Sequence, residues 1–511
     1  MPRSVLPTHF RGFTLDPDSE EPLHRQLYDE LRRSILEGRL PAGSRIPASR
    51  ELASVTRLSR NTVLAAYEQL MAEGYIEGRA GSGTFVSRSG PERMDGKTTL
   101  SPMLAALDIA RREISKAAER FRSTPALRDA ALIEADAFNP GLPALDHFPM
   151  DIWRRLSDRR LRNASARMLS YDDPQGYLPL RQAIAAHLGA YRGAHCTAEQ
   201  VLIVSGSQQS LDLASRVLLD PGDQAWVEDP GYFAARATFE MAGARVVPVS
   251  VDDDGMVVSE GIAAAPRARL AYVTPSHHNP TCVTMSLSRR MALLQWAEQA
   301  GAWILEADNA SEFHYEGHSH AALLGIDTNH RTLYFGTFSK ILFASLRLGY
   351  IVAPLDLVPA LVRAREFMDR QSPGWQQAVL ADFISEGHLG RHVRRMCQLY
   401  RTRMHHFRSI AARYAGDLFE VPLRHGGMSH VAYFLSAVDD QAAAEAAQQA
   451  GVCCMPLSHY RCRREGRSGL VLGFTGTDEA SATIAMQKLV AAIQPLRPLS
   501  PLVPGPFNAL E

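Results

Sequence analysis

Short apolar runs alternate with segments of helical periodicity from about residue 138 to about residue 496, and this alternation constrains the fold more than any other feature of the chain. The apolar runs have the length of strands and occupy residues 201–204, 224–227, 245–249, 270–273, 302–305 and 332–335. Strands separated by helices predict βα units, which build a mostly parallel sheet with helices on both faces. We therefore expect one large α/β domain over residues 138–496.

Residues 20–88 carry a different pattern, which is mainly helical. Leu27, Leu31 and Ile35 recur at every fourth position, and this spacing predicts an amphipathic helix with one buried stripe. The segment does not show the alternating pattern of the larger region. It is expected to form a separate small domain.

Two further helices and a hairpin are predicted in the same segment. Ser49 and Ser59 are each placed to cap a helix that follows. Residues 75–77 and 84–86 flank a glycine-rich bend, which is typical of a two-stranded hairpin. Three helices followed by such a hairpin predict an N-terminal winged helix-turn-helix, with the hairpin as the wing.

The remaining segments are predicted to be connections. Residues 89–137 are polar, include a charged helical stretch around residues 107–121, and are interpreted as a linker. Residues 497–511 are interpreted as a proline-rich tail. A chain of 511 residues exceeds what one hydrophobic core usually organises, so this division into domains is expected from length as well.

Composition excludes several classes of protein. The chain has 55 basic and 55 acidic residues, so a protein that coats a polyanion along its whole surface is not expected, although a local basic face remains possible. The six cysteines have no metal-binding or paired spacing, and there is no signal-peptide pattern, which favours the cytoplasm. No apolar run is long enough to cross a membrane.

The second and third predicted helices have the features of a DNA-reading pair. Arg60, Asn61 and Thr62 lie in the first turn of the third helix, where side-chain donors can reach bases and phosphates. Glu51 is the only acid among four arginines between residues 45 and 60, so the segment can offer a phosphate-binding face. An ordinary helical bundle with surface arginines fits the same spacing.

The motifs favour the DNA-binding interpretation. The segments 22–28, 43–53, 58–63, 73–76 and 81–86 together closely resemble the GntR-type winged helix. This resemblance implies a double-stranded DNA operator as partner. It also implies DNA-facing positions in the helices and the wing, namely Arg50, Ser59, Arg60, Asn61, Thr62, Arg79, Ser82, Gly83 and Thr84.

The large domain contains a lysine motif directly after a predicted strand. In the segment 336–350, which reads Gly-Thr-Phe-Ser-Lys340 and continues through Arg347 to Tyr350, Thr337 and Arg347 can reach one phosphate bound beside the lysine. A Ser-Lys pair alone is more often a solvated surface feature. Three other segments accompany it, each after its own strand: 205–209, 228–232 and 275–281.

In that order, these segments resemble fold-type I aminotransferases, and with the winged helix in front the chain resembles the MocR-type branch of the GntR regulators. The resemblance covers about residues 20–490. It implies pyridoxal 5′-phosphate as cofactor and Lys340 as the lysine of the internal aldimine. It further implies the phosphate neighbours Ser207, Gln208, Thr337 and Arg347, with Tyr232 stacked on the ring and Asn279 near its O3′ oxygen.

The sequence departs from this family at several positions. Ala307 stands where the family places the acid that keeps the pyridine nitrogen protonated, and Asn309 stands where it places a tyrosine. Asp308 is expected to point to the opposite face of its strand. Val471 replaces the arginine that binds a substrate carboxylate, and Cys282 replaces a glycine. We therefore expect weak or absent transamination, with the bond through Lys340 retained.

Three functions remain open at this point. The favoured one is a homodimeric regulator whose large domain senses an amine, an amino acid or the cofactor itself, bound at an operator with paired half-sites. The alternatives are a functional aminotransferase with an accessory DNA-binding module, and a regulator that has lost the cofactor. No metal site is expected, because the histidine pairs 277–278 and 405–406 and the group His314, His318 and His320 lack the other ligands of such a site.

Overall fold

The computed structural model describes residues 15–17, 19, 21–79, 82–88, 115–123, 137–316, 321–463 and 465–497, and the chain divides into two compact units between Glu113 and Ile114. The described part of the first unit contains three helices and three strands. These elements are α1 (Leu23–Leu36), β1 (Arg45–Ile46), α2 (Ser49–Thr56), α3 (Arg60–Ala72), β2 (Ile76–Arg79) and β3 (Gly83–Val86).

The first unit is the predicted winged helix. Strands β2 and β3 form the antiparallel hairpin, and β1 pairs with β3 on the other side. Leu27 and Leu31 of α1 are buried against Leu52 of α2 and Leu70 of α3, so one small core joins the three helices. Residues 80 and 81, at the tip of the wing, lie outside the described residues.

One predicted helix cap is correct and the other is wrong. Ser59 caps α3, because its Oγ accepts the backbone N–H of Thr62 at 3.1 Å. Ser49 does not cap α2; Ala48 is the N-cap and Ser49 is the first helical residue. The hydroxyl of Ser49 instead accepts a hydrogen bond from Arg60 Nε at 3.4 Å, so this side chain is turned toward the next helix.

The second unit is built on an eight-stranded sheet of order β4-β11-β10-β9-β8-β5-β6-β7. The central pairs, from β10 through to β6, are parallel, whereas β11 is antiparallel to both of its neighbours and β7 is antiparallel to β6. The strands are β4 (Val201–Val204), β5 (Gln224–Asp229), β6 (Arg245–Asp252), β7 (Gly255–Met256), β8 (Leu270–Val273), β9 (Trp303–Asp308), β10 (Thr332–Thr337) and β11 (Gly349–Val352). The mostly parallel sheet predicted from the alternating pattern is confirmed.

A smaller antiparallel sheet of order β12-β13-β15-β14 completes the unit toward its C-terminal end. Its strands are β12 (Phe419–Glu420), β13 (Ser429–Phe434), β14 (Met455–Pro456) and β15 (Gly469–Gly473). The described α-helices of the second unit are α4 (Lys116–Ser123), α5 (Met150–Arg162), α6 (Leu178–Arg192), α7 (Ser207–Leu218), α8 (Phe233–Met241), α9 (Val258–Ala264), α10 (Leu287–Ala300), α11 (Leu323–Ile326), α12 (Val358–Asp369), α13 (Gly374–Ser385), α14 (His388–Ala415), α15 (Asp440–Gln449) and α16 (Glu479–Ile493).

Apolar clusters cover both faces of the large sheet, as βα units require. One cluster lies between the sheet and helices α7, α8 and α12, and two others lie on the opposite face. Of the predicted linker, the structure describes α4, where Arg120 donates to the carbonyl of Met241 at 3.5 Å, and a few flanking residues. Residues 498–511 of the tail lie outside the described residues. Within the described ranges, no helix combines the length and apolarity that spanning a bilayer requires.

Candidate cofactor pocket and DNA-binding face

The registers of three adjacent strands bring the predicted pocket residues together. Thr337, the last residue of β10, pairs with Gly349 of β11, and Gly349 pairs with Val204 of β4. The chain after β4 leads into α7, whose first residue is Ser207, and the chain after β10 leads to Lys340. Residues from separate segments therefore meet at one edge of the sheet.

Lys340 lies against a glycine that sequence reasoning missed. Its Nζ donates a hydrogen bond to the carbonyl oxygen of Gly141 at 3.0 Å. Gly141 has φ +71°, and a Cβ at this position would lie 2.9 Å from the lysine Nζ, so a side chain here would displace the amine. A single glycine 199 residues away along the chain gives no sequence signal for this contact.

Arg347 supplies a cation beside the start of α7. It adopts a left-handed conformation, with φ 50° and ψ 44°, at the end of a short 3-10 helix. A Cβ built on Gly206, the residue before α7, would lie 3.8 Å from Arg347 Nη1. A guanidinium and the unpaired N–H groups of a helix start both bind phosphate or carboxylate groups. Arg347 and the α7 N-terminus therefore define the candidate anion-binding end of the pocket.

Gln208 and Thr337 lie at the same end but use their side chains differently. Thr337 is buried, and its Oγ1 accepts the N–H of Ser339 at 3.2 Å. The Nε2 of Gln208 donates to Thr238 Oγ1 at 2.8 Å, whereas its Oε1 is buried and accepts no hydrogen bond from the described residues. A buried acceptor of this kind is rare, because it costs free energy when no donor reaches it.

The positions expected to face a ring are apolar rather than acidic. Tyr232 is half-buried and packs against the apolar cluster that contains Ala307 and Tyr272. Asn309, two residues beyond Ala307, accepts a hydrogen bond from Ser207 Oγ at 3.4 Å. The pocket therefore lacks an acid at Ala307, and Asn309 is engaged with the anion-binding end.

Asp308 points to the opposite face of β9, where it joins a buried ionic network. Arg192 Nε lies 3.0 Å from its carboxylate, and the hydroxyl of Tyr334 donates to it at 2.7 Å. Burial acts to raise the pKa of Asp308, but the charge of Arg192 and the hydrogen bonds from Ser311 and Tyr334 hold it below its ordinary value. Asp308 therefore cannot replace the acid missing at Ala307.

The backbone of Asn279 is held in place by two consecutive hydrogen bonds. Its backbone N–H donates to Thr274 Oγ1 at 3.1 Å, and the Thr274 hydroxyl donates to Glu228 at 2.6 Å. Glu228 is fully buried, and burial raises the pKa of its carboxyl group to about 8. Within the described residues, the side chain of Asn279 makes no hydrogen bond to the other predicted pocket residues.

Two further departures are structurally accommodated. Cys282 has φ +56°, a conformation that favours the glycine it replaces, and its Sγ donates to the carbonyl of Ser429 at 3.1 Å. Val471 is buried on β15 in a small apolar cluster with Val431 and Leu457, so no cation occupies this position. Arg467 instead forms an exposed ion pair with Glu420.

The helical part of the predicted DNA-binding face is solvent-exposed. Arg50, Arg60 and Asn61 are all exposed, and Arg60 is held toward α2 through its contact with Ser49. Ser59 and Thr62 are joined by the cap and by a contact of 2.8 Å between their hydroxyl oxygens. These two residues therefore fix the start of the helix that presents Arg60 and Asn61.

The cation of the wing is packed against an aromatic ring. Arg79 pairs with Glu77 at 2.7 Å, and its guanidinium lies 4.8 Å from the ring centroid of Phe85. Ser82 and Gly83 are exposed and Thr84 is half-buried in β3. The wing therefore presents an ordered arginine beside a small-residue turn.

Two of the histidines that the sequence singles out, His277 and His314, lie against each other. His277 and His314 stack with ring centroids 5.8 Å apart, and burial lowers the pKa of His277 to about 4. Among the described residues, no group of three or more His, Cys, Asp or Glu side chains is placed to hold a metal ion. His318 and His320 lie outside the described ranges.

The fold and the two sites define a winged-helix DNA-binding unit joined to an aminotransferase-like domain. Residues 23–86 match the bacterial regulatory proteins of the gntR family, and residues 142–489 match aminotransferase class I and II. The chain is 37% identical to the probable rhizopine catabolism regulatory protein MocR of Rhizobium meliloti, over 94% of this chain and 95% of that protein. The chain therefore belongs to the MocR-type regulators of the GntR family.

Other relatives agree with this assignment. The pyridoxine biosynthesis transcriptional regulator PdxR of Corynebacterium glutamicum is 30% identical over 94% of this chain and 98% of that protein. Among solved structures, the kynurenine aminotransferase of Pyrococcus horikoshii is 26% identical, with a TM-score of 0.70 over 76% of this chain and 99% of that one. The predicted family and fold are thus confirmed, and the protein is a DNA-binding regulator.

Proposed function

We propose that this regulator holds pyridoxal 5′-phosphate at Lys340 and senses an amine, an amino acid or the cofactor itself through the aminotransferase-like domain. The observation that carries the proposal is the convergence of the Lys340 amine, the Arg347 guanidinium and the N-terminus of α7 at one sheet edge. Occupation of this pocket would then change the affinity of the winged helix for its operator, since an effector shifts an equilibrium by its differential affinity for two states.

The phosphate end of the pocket fits the cofactor well. Arg347 and the start of α7 supply charge and N–H donors, and Ser207 and Thr337 supply hydroxyl groups. The buried, unpaired Oε1 of Gln208 leaves an acceptor available in the same region. The guanidinium, the N–H groups and the hydroxyls are donors that recognise a phosphate ester, whereas the Gln208 oxygen, as an acceptor, pairs only with a donor group.

The part of the pocket around Tyr232 and Ala307, where the ring of the cofactor is expected, offers no carboxylate to the pyridine nitrogen. When bound, pyridoxal phosphate supplies an electrophilic carbonyl and a ring that withdraws electrons, and an acid at the ring nitrogen strengthens the second property. Ala307 supplies no such acid, and Asp308 is committed to Arg192 on the other face. The chain's own residues are therefore suited to holding the cofactor more than to using it in catalysis.

The same residues argue against a functional aminotransferase. Val471 lies in an apolar cluster where a cation would be needed for a substrate carboxylate, and the pocket has no acid at Ala307. Both changes remove charge stabilisation that matters most in the reacting state. We infer that recognition without turnover is the role of the domain.

A homodimer is the assembly that the surface favours. Phe367, Leu169 and Tyr171 are exposed to 83%, 82% and 74%, although each is large and apolar. They share one region, since the guanidinium of Arg370 lies 4.4 Å from the Tyr171 ring centroid and Phe367 is on the same helix end. An exposed apolar region of this kind usually marks a protein interface.

The cofactor proposal is tested by the visible absorbance of the purified protein, before and after addition of pyridoxal 5′-phosphate. We expect an absorbance band at wavelengths longer than those at which the protein itself absorbs, and we expect this band to be absent in Lys340→Ala. The matched control is Lys488→Ala, because Lys488 is exposed on α16 and is one of only four lysines in the chain. A protein without the band in any condition would show that the pocket serves a regulator that has lost this cofactor.

A further inference from the structure

The longest described helix of the second unit is strongly basic. Helix α14 has 28 residues, among them seven arginines and four histidines, and contains no aspartate or glutamate. The whole chain, by contrast, has equal numbers of acidic and basic residues. The helix therefore has no acidic residue of its own to compensate its charge.

Six of the seven arginines of α14 lie on one face, and the seventh, Arg403, is buried. The apolar residues, such as Leu389, Met396, Tyr400 and Phe407, are buried, and the opposite face carries the basic side chains. This face, called here the α14 arginine stripe, consists of Arg391, Arg394, Arg395, Arg401, Arg408 and Arg413. At the helical rise, the stripe extends over ~33 Å, close to the ~34 Å of one turn of B-DNA.

The hydrogen bonds of the stripe go to backbone carbonyls and to one histidine nitrogen, His388 Nδ1 at 2.9 Å from Arg391 Nη2, rather than to carboxylates. Three of its members donate to carbonyls: Arg391 to Glu386, Arg395 to His147 and Arg401 to Tyr315. Within the described part of the chain, none of the six arginines forms an ion pair with an acidic side chain. The nearby acids are engaged elsewhere, since Glu386 pairs with Arg159 and His388, and Glu316 pairs with His405 and His425.

Other exposed arginines of the protein behave differently. Arg154 pairs with Asp151 on α5, Arg216 with Asp212 on α7, and Arg363 with Glu366 on α12. Each of these helices places an acid three or four residues from its arginine, which neutralises the local charge. Helix α14 has no acid of its own to do so. Among the described residues, Glu316 and Glu386 pair with His405 and His388 of this helix, and neither pairs with an arginine of the stripe.

We propose that the α14 arginine stripe is a second DNA-contacting surface, which binds backbone phosphates in addition to the winged helix. This inference rests on the DNA-binding function of the chain. Six arginines that form no ion pair among the described residues are complementary to the negative charge of a duplex, and arginine binds phosphate oxygens with two parallel donors. The exposed face has no large apolar side chain between Arg391 and Arg413, so it lacks the apolar centre typical of protein interfaces.

The test measures how the affinity of the full-length protein for a fluorescein-labelled random-sequence DNA duplex depends on salt. The test variant carries Arg394→Gln, Arg408→Gln and Arg413→Gln, three positions at which the described residues offer no hydrogen bond or ion pair to break. The matched control carries Arg154→Gln, Arg216→Gln and Arg363→Gln and changes the net charge equally. A lysine triple at the three stripe positions tests whether charge alone is sufficient.

Each phosphate that the variant can no longer neutralise should reduce the slope of log affinity against log salt by about 0.9. We expect the slope of the stripe variant to be smaller by between about 1 and 3, the control to keep the parent slope, and the lysine triple to recover most of the difference. Equal slopes for the stripe variant and the control would overturn the proposal. Arg60→Ala separates the two claims: if the parent binds and this variant binds weakly while the stripe variant is unchanged, only the inference fails.

Discussion

Ala307 and Asp308 are neighbours on β9 but lie in different surroundings, Ala307 in an apolar cluster and Asp308 in a buried ion pair. The alternation of a strand predicts that Ala307 and Asp308 face opposite sides of the sheet, and the structure places them so. The sequence could not predict Arg192 as the partner of Asp308, because the two are far apart in the chain and no local pattern joins them. Gly141 beside Lys340 was missed for the same reason.

The Arg192–Asp308 pair should be essential for stability. Both side chains are almost fully buried, so removing one charge leaves the other without a partner in a low-dielectric interior. We expect Asp308→Asn to destabilise the protein by about 3 kcal/mol or more, with a lower thermal midpoint. The double variant Arg192→Met with Asp308→Leu should recover much of this loss, and a single variant as stable as the parent would contradict the assignment.

Glu228 should make stability depend on pH. In the folded protein its pKa is about 8, which is above the unfolded value. Its contribution to the free energy of unfolding is therefore present at low pH and is lost as the pH rises through about 8. Glu228→Gln cannot ionise and should lack this loss. Thermal midpoints of parent and variant, measured between weakly acidic and weakly basic pH, should therefore diverge in favour of the variant as the pH rises. A constant difference would show that Glu228 does not titrate in this range.

At the scale of elements, the periodic segments were predictable and their connections were not. The six apolar runs correspond to strands β4, β5, β6, β8, β9 and β10. The antiparallel position of β11 next to β4 depends on long-range packing, for which the sequence has no local signal. The same limit explains Ser49, because the sequence places a good capping residue there while the structure turns its hydroxyl toward Arg60.

The cap at Ser59 should stabilise the helix that presents the predicted DNA-facing residues Arg60 and Asn61. Replacing an N-cap serine by alanine typically costs ~1 kcal/mol, because a helix N–H loses its acceptor. Ser59→Ala should therefore speed hydrogen exchange of the amides in the first turn of α3, Thr62 above all, while Ser59→Asn, which also caps, should preserve protection. Equal exchange in both variants would show that the cap contributes little.

In the whole molecule, a predicted DNA-binding surface and a predicted small-molecule pocket belong to one chain. The first unit exposes the side-chain donors proposed to contact DNA, and the second holds the proposed anion-binding pocket beside Lys340. The order of motifs was sufficient to predict both units and their family. Which small molecule the pocket prefers depends on shape and water exclusion around Tyr232 and Ala307, and no sequence pattern reports these.

The proposed dimer depends on the exposed apolar residues of the second unit. Placing a charge in the centre of a protein interface costs several kcal/mol when it finds no partner. Phe367→Glu should therefore shift the protein from dimer to monomer in sedimentation velocity, and Leu355→Glu, another exposed apolar site, is the matched control. A dimer unaffected by Phe367→Glu would place the interface elsewhere.

The most direct test of the central claim joins the two units. An operator is first selected from a random duplex library with the full-length protein. Its dissociation constant is then measured without ligand, with pyridoxal 5′-phosphate, and with the cofactor plus a panel of amino acids and amines. For the parent protein we expect at least one condition to change affinity by roughly 5- to 150-fold, the usual range of coupling between sites, and for Lys340→Ala no change. An operator affinity that never responds, or that responds equally in the variant, would contradict regulation through this lysine.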